Sequence, residues 1–314
     1  MLNKTSAAML AQTSPATDEA QYFEYTSSAN PLGAKLISRV PFRNFSPALY
    51  AVGESRVIPL DLSAELACPS PATGPGLCAN FVRINAAEQL TLEPNATSQV
   101  FYAISGSGQV SHGASAFPFA QGDFFTLPGG TATTLSAATA ATLYYVNDAP
   151  LLTYLGVSGV RPRFAPTLYP SAQAQAELVK VAEDANAGRR NRISVLLGNV
   201  NFPQTRTVTH TMWAMFGMVT SNSQQKPHRH QSIALDFIVS CAPGCYSLVG
   251  AEVDANGNIV NPTRVDWEAG MAFVTPPGYW HAHFNQSNQD AYLIPIQDAG
   301  LQTYLRALDI RFSH

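Results

Sequence analysis

The sequence predicts an all-β chain: two tandem antiparallel β-barrels of the jelly-roll type with a short helix between them. Three observations predict this. The first is an internal repeat, in which Asp-Ala-Pro-Leu-Leu-Thr-Tyr-Leu at 148–155 returns as Asp-Ala-Gly-Leu-Gln-Thr-Tyr-Leu at 298–305, with six of eight positions identical and 150 residues between them. Upstream, and in the same order, Phe101-Tyr-Ala-Ile-Ser105 parallels Asp236-Phe-Ile-Val-Ser240, and Gly122 to Pro128 parallels Gly270 to Pro276. The second is a series of short runs rich in Val, Ile, Phe, Tyr and Thr, punctuated by Gly, Pro and Asn. The third is that a single strong helix pattern occurs, midway along the chain.

In chain order, residues 1–45 read as a tail and lead-in. Met1–Ala20 is rich in Ala, Ser and Thr and lacks both a basic n-region and an apolar h-region, which points to a mobile tail and a cytoplasmic protein. Residues 46–160 form the first unit, with strands expected at Val100–Ser105 and Thr142–Val146. Residues 161–192 form a helical linker: Ser171 is placed to N-cap Ala172–Asn186, Gly188 to end that helix, and Gly188 to Arg192 to follow as a charged link. Residues 193–314 form the second unit, with strands expected at Thr205–Val219, Leu235–Ser240 and Tyr292–Ile296 and a tight turn at Asn256-Gly257.

Composition removes several classes of function. Lys and Arg total 18 and Asp and Glu 21, for a net charge of −3. That balance argues against nucleic acid and against a polybasic membrane surface. No apolar run approaches the ~18 residues of a membrane helix. Charged residues make up 12% of the chain, against ~25% in an average soluble protein. So polar a surface, with so few charges and with strand edges to cover, suggests a homodimer or larger homo-oligomer. Four cysteines do not make a disulfide scaffold. Cys241 and Cys245 flank Ala-Pro-Gly and read as thiols beside a hairpin, with a redox pair or half of a zinc site as the alternatives.

The chemistry concentrates in the second unit. Four of the seven histidines fall in Lys226-Pro-His228-Arg-His230 and in Pro276-Pro-Gly-Tyr-Trp-His281-Ala-His283-Phe-Asn285. In a strand, residues i and i+2 share a face, so each pair projects together. Two such strands facing each other bring at least three imidazoles to one point, and neutral imidazole binds Fe, Zn, Cu and Ni. Alternation turns Arg229 and Trp280 outward and Asp236 inward. Gln297 is a candidate to reach the cavity from a following strand. His210 is either a pocket residue or a core histidine. No phosphate loop, nucleophile elbow or dinucleotide fingerprint is present.

His-x-His followed by Pro276-x-Gly278-x-x-His281 resembles the cupin superfamily, and the repeat makes the chain resemble a bicupin. The resemblance implies two small β-barrels and a metal held by His228, His230 and His281. Over about 60 residues, Pro-His-Arg-His-x-x-x-Ala-Leu-x-Phe-Ile and Trp-His-x-His-x-Asn are similar to gentisate 1,2-dioxygenase and its salicylate-type relatives. Those are three-histidine Fe(II) enzymes that cleave hydroxylated aromatic acids with O2. The resemblance implies one divalent transition metal per chain, Fe(II) first and Mn, Zn or Ni as alternatives. It also implies a small-molecule substrate, with His283 handling protons. In that family the metal cupin is usually the first of the two, whereas here it is the second. An arginine six residues after the second ligand usually grips the substrate carboxylate there, and here Asp236 stands in its place. An Asp favours an amine, a hydroxyl or the metal itself, so Asp236 is a candidate substrate acceptor, acid–base group or fourth ligand. The repeat sets Glu93, Asn95 and Thr133 of the first unit opposite His228, His230 and His281, which makes that unit a degenerate, metal-free cupin. The leading expectation is an oxidative ring-cleaving dioxygenase. The alternatives are an O2-independent isomerase, lyase or decarboxylase, and a non-catalytic module that binds a metal or small ligand.

Overall fold

The computed structural model describes residues 15–69 and 71–313, so most of the expected Met1–Ala20 tail lies outside the described residues. The chain divides into two units, Met1–Ser38 and Arg39–His314. The first, described from Pro15, contains the helical turn Tyr25–Ser28. Glu24 caps it, accepting from the backbone N–H groups of Thr26 and Ser27 at 2.8 Å each.

The second unit is antiparallel β structure. Its first eleven strands are β1 (Arg43–Phe45), β2 (Arg56–Pro59), β3 (Cys78–Ile84), β4 (Gln89–Leu92), β5 (Ser98–Ser105), β6 (Ser107–His112), β7 (Ser115–Ala120), β8 (Phe124–Pro128), β9 (Thr133–Ala137), β10 (Ala141–Asn147) and β11 (Thr167–Tyr169). After the helix Ser171–Glu183 come β12 (Ile193–Leu196), β13 (Trp213–Val219), β14 (Ser223–Gln224), β15 (His228–Arg229), β16 (Ala234–Ser240), β17 (Cys245–Gly250), β18 (Thr263–Asp266), β19 (Ala272–Thr275), β20 (Trp280–Asn285), β21 (Ala291–Gln297) and β22 (Arg311–Phe312). The sheets run β11-β8-β5-β10-β3-β2 and β4-β9-β6-β7, then β1-β19-β16-β21-β13-β12 and β18-β17-β20-β15-β22 with β14 on β20. Pairing crosses the boundaries expected from the sequence at two points. Arg43–Phe45, at the end of the lead-in, pairs with β19, and Thr167–Tyr169, within the linker, pairs with β8.

Period-two alternation explains the layering. Tyr102, Tyr144 and Phe81 from one six-stranded sheet meet Leu235, Phe237 and Ile294 from the other in one cluster, with Tyr144 stacked on Phe237 at 5.0 Å. Their sequence neighbours point the opposite way. Phe101, Val82 and Tyr145 fill the interior behind the first sheet, where Phe101 stacks between Phe125 and Tyr145 at 4.6 and 4.3 Å. Behind the second sheet the corresponding interior holds Ile238, Trp267, Phe273 and Leu293, and also the histidines. Strands β10 and β16 are buried on both faces over most of their length because each separates two clusters, and they are largely apolar apart from Asp236 and the strand ends.

Two expectations are corrected. The run Thr205–Val219 is a strand only from Trp213. Before it, Arg206 takes φ +52, and the Thr205 and Thr207 hydroxyls bond each other at 2.8 Å. The Thr209 hydroxyl accepts the Met212 N–H, so local hydroxyl bonds replace the ladder there. In the linker helix, Ser171 is the first helical residue and not the cap, because its N–H is satisfied by the Asp123 carboxylate at 2.8 Å. Among the described residues, no helix is long and apolar enough to cross a membrane.

Candidate metal centre

His228 on β15 lies directly across the ladder from His281 on β20. His230 follows β15, and its carbonyl accepts the N–H of Gly278 at 2.7 Å. That bond ties the first histidine motif to the Pro-Pro-Gly turn of the second. Gly278 sits at φ +78, a conformation that L side chains rarely adopt, which accounts for the glycine. The imidazole nitrogens of His228, His230 and His281 fall within 4.8 Å of one another, and all three residues are buried.

The hydrogen bonds of these rings decide which nitrogen is available. His228 Nδ1 faces the Lys226 carbonyl at 3.3 Å, His281 Nδ1 the Tyr279 carbonyl at 3.2 Å, and His230 Nδ1 the Ser232 carbonyl at 2.8 Å. A carbonyl can only accept, so each ring carries its proton on Nδ1 and leaves an Nε2 lone pair free. His230 Nε2 is buried without a hydrogen-bond partner, a cost that a metal ion removes. Burial, reinforced by neighbouring positive and imidazole charges, pushes the His228 and His281 pKa values well down, and burial brings His230 to about 4. Neutral rings with converging lone pairs fit a divalent transition ion at about 2.0–2.1 Å per nitrogen.

His283 differs from these three. Its Nδ1 faces the Ser247 hydroxyl at 2.7 Å, which itself accepts the Trp267 indole N–H at 2.9 Å. A hydroxyl can donate or accept, so His283 is free to carry its proton on either nitrogen, and its Nε2 is buried without a partner. Its ring lies 5.8 Å from that of His281, enclosed by Trp267 and Phe273. Arg229 and Trp280 are half-buried, with the guanidinium 5.5 Å over the indole.

Arg192, which sequence reasoning placed in the charged link, is half-buried and close enough for its charge to bear on the histidines. It immediately precedes β12, which pairs with β13 from Ile193 opposite Met218. Its guanidinium reaches Gln225 Oε1 at 3.4 Å and Met215 Sδ at 4.0 Å. After burial, its charge is the next largest influence lowering the pKa of His228 and of His283. Of its five N–H donors one meets a side-chain oxygen, and the residue is half-buried. It lines a cavity of 180 Å³ with Gln225, Asn191 and Ser223. Neither that cavity nor a larger one, 580 Å³ between the linker helix and Tyr102, Phe124, Phe216 and Tyr292, is lined by the histidines.

Asp236 is buried, stands outside the three-histidine group and accepts the Thr275 hydroxyl at 2.9 Å. Burial pushes its carboxyl from 3.8 up to about 6, against the opposing charge of Arg192. Between those values the folded chain keeps a proton that the unfolded chain has released, so this group's contribution to stability falls as pH rises through the window. Asp236→Asn removes that dependence. The variant is expected to gain about 2 kcal/mol relative to the parent between pH 4 and pH 7, read from urea unfolding at both pH values. Parallel stabilities at the two pH values would contradict it.

His210 lies at a different place. It contacts Thr97 Oγ1 at 3.0 Å and Ser98 Oγ at 3.4 Å, and its ring packs on Phe164 and Phe202. Thr97 in turn donates to Asp148, which also accepts from Thr211. The residue is half-buried. His210→Ala is expected to cost about 1–3 kcal/mol in urea unfolding and to leave metal content unchanged. Gln297 accepts the Ser232 hydroxyl at 3.0 Å. Cys241 and Cys245 flank a turn with Gly244 at φ +101, and both are free thiols. Burial pushes Cys241 to about 11, and Cys245 donates to Asn285 Oδ1 at 3.2 Å. In the first half, Thr133 pairs with His112 and Asn95 donates to the Val157 carbonyl.

No protein-family model matches the chain. Gentisate 1,2 dioxygenase 1 of Aquipseudomonas alcaligenes is 25% identical over 125 residues, covering 40% of this chain and 33% of that protein, so the match spans about a third of the relative's length. Among solved structures, salicylate 1,2-dioxygenase from Pseudoaminobacter salicylatoxidans, as a variant in complex with gentisate, superposes with a TM-score of 0.70 at 12% identity, over 98% of this chain and 97% of that one. The two chains share one fold. The tandem all-β architecture read from the repeat is therefore that of a salicylate 1,2-dioxygenase along nearly its whole length. Procruciferin, an 11S globulin from Brassica napus, also resembles the chain, with a TM-score of 0.55 at 12% identity over 87% of this chain and 86% of that one. One architecture thus serves an enzyme and a globulin, and the function has to be argued from the site.

Proposed function

We propose that this chain is a non-haem, metal-dependent dioxygenase that cleaves a small hydroxylated aromatic acid with O2. The observation that carries the reading is the set of three buried imidazoles with Nδ1 bonded to carbonyls and Nε2 free. His228, His230 and His281 would hold one divalent ion, Fe(II) before Mn, Zn or Ni. Three neutral ligands leave such an ion its full charge and open positions, so when bound it supplies a template and electron conduit for a bidentate substrate and O2.

The remaining steps belong to the chain. Arg192 neutralises and orients a substrate carboxylate, the role that the position of Asp236 had put in doubt. Asp236 accepts a hydrogen bond from a ring substituent. Trp267 and Phe273 exclude water beside His283. His283, with Nδ1–H donated to the Ser247 hydroxyl, takes a proton at Nε2 and later gives it back. Cytoplasmic location and a homo-oligomer belong to the same reading. The oligomer is supported by the repeated Tyr154-Leu155 and Tyr304-Leu305 pairs, all 57–75% exposed.

The test is anaerobic reconstitution with Fe(II), followed by O2 uptake against hydroxybenzoates, catechols and aminophenols. Iron near one per chain with substrate-dependent uptake is expected. Tightly held zinc or manganese without uptake would favour the O2-independent enzyme or the binding module.

A further inference from the structure

We propose that Gln297, acting through the Ser232 hydroxyl, is a positioning residue that selects the metal-binding tautomer of His230. The inference rests on reading the three histidines as a metal site. Ser232 presents two oxygens to His230 Nδ1, its carbonyl at 2.8 Å and its hydroxyl at 2.9 Å. The carbonyl requires an Nδ1–H. The hydroxyl is ambivalent: were it to donate to Nδ1, the ring would carry its proton on Nε2. That would place an unpartnered N–H among the other imidazoles and remove the lone pair a metal needs.

Gln297 turns the hydroxyl to agree with the carbonyl. Its Oε1, 3.0 Å from Ser232 Oγ, accepts the hydroxyl's hydrogen bond and leaves only a lone pair facing Nδ1. The opposite amide orientation would put N–H toward Ser232, turn the hydroxyl toward Nδ1, and so oppose the Ser232 carbonyl. Gln297 is itself buried and held, as the last residue of β21, between Trp213 and Ala234 in the ladder. The next residue, Asp298, accepts the Ile233 N–H at 2.9 Å, so the strand end grips the segment that follows His230.

The first half supplies an internal control. There Asp148, the repeat partner of Asp298, accepts the N–H groups of Thr97 and Ser98 at 2.8 and 3.0 Å, so the carboxylate grip is retained. Asn147 stands in the place of Gln297, and its shorter side chain accepts from its own backbone at Ala149. Asn95 stands opposite His230 in the repeat. The grip belongs to the fold, whereas the amide–hydroxyl relay accompanies the histidine.

The test uses the full chain freed of metal, with ¹⁵N-labelled histidine, His230→Ala to assign the ring signals, and Co(II) as the probe. Gln297→Leu is expected to shift His230 toward the Nε2–H tautomer and to weaken Co(II) binding by about 10- to 100-fold. Gln297→Glu keeps an acceptor for the Ser232 proton and is expected to retain the parent tautomer and affinity. If the Leu variant does not melt cooperatively, Gln297→Met, of similar length, takes its place. An unchanged tautomer with unchanged affinity would overturn the proposal, and so would equal losses in the Leu and Glu variants without a tautomer shift. Should the parent bind no Co(II), the metal reading fails, and the tautomer signal alone still decides for or against the relay.

Discussion

Replacing His281 with alanine is expected to abolish metal binding and turnover together while the chain stays folded. His281 is the member of the set that touches both others, with ring centroids 4.1 Å from His228 and 4.9 Å from His230. Two imidazoles on one short strand segment do not enclose an ion, and three converging from two segments do. Metal content should fall from near one per chain to less than about a tenth, and turnover by on the order of 10³-fold or more. The strand around residue 281 keeps its ladder to β17, so far-UV dichroism should be unchanged. Full metal content in this variant would mean that the ion sits elsewhere; metal loss with normal turnover would mean that the metal is not catalytic.

The second large effect is expected at Arg192. A half-buried guanidinium that meets one side-chain oxygen, at 3.4 Å, is poised for an anion, and truncating one side of a desolvated charge pair costs about 2–5 kcal/mol. Arg192→Met keeps the stem's packing and removes the charge. For an aromatic substrate with a ring carboxylate, kcat/KM should fall by on the order of 10²- to 10³-fold. For the same ring bearing a carboxamide, the parent and the variant should differ by less than about tenfold. The variant also strips Asp236 of its nearest cation, so Asp236→Asn in the same background should recover stability without recovering kcat/KM. Equal losses on both substrates would assign Arg192 to packing.

Much of this was legible in the sequence because it was carried by periodicity. The 148–155 and 298–305 repeat pointed to the two similar sets of sheets, and alternation placed His228 with His230 and His281 with His283 on shared faces. Pro276-Pro-Gly278 marked the turn that docks on His230. What was not legible depends on pairing between distant strands. Arg192 sits in the run Gly-Arg-Arg-Asn-Arg, where Arg190 makes an ordinary exposed ion pair with Asp184. Nothing local separates the two arginines; the pairing of β12 with β13 does. Ser232, Ser247 and Thr275 were silent for a related reason. Small hydroxyls occur everywhere in β proteins, and these three acquire meaning only from what lies across the ladder. The overlong strand at Thr205–Val219 came from counting threonines as β-formers where their hydroxyls serve the local backbone.

The most direct test of the central claim is isotopic. The Fe(II)-reconstituted chain would be given a hydroxylated aromatic acid under ¹⁸O2 and the product weighed by mass spectrometry. A ring-opened product carrying both labelled oxygen atoms is the expected result. Product formed without label, or with a single labelled atom, would contradict a dioxygenase and turn the site toward a different reaction.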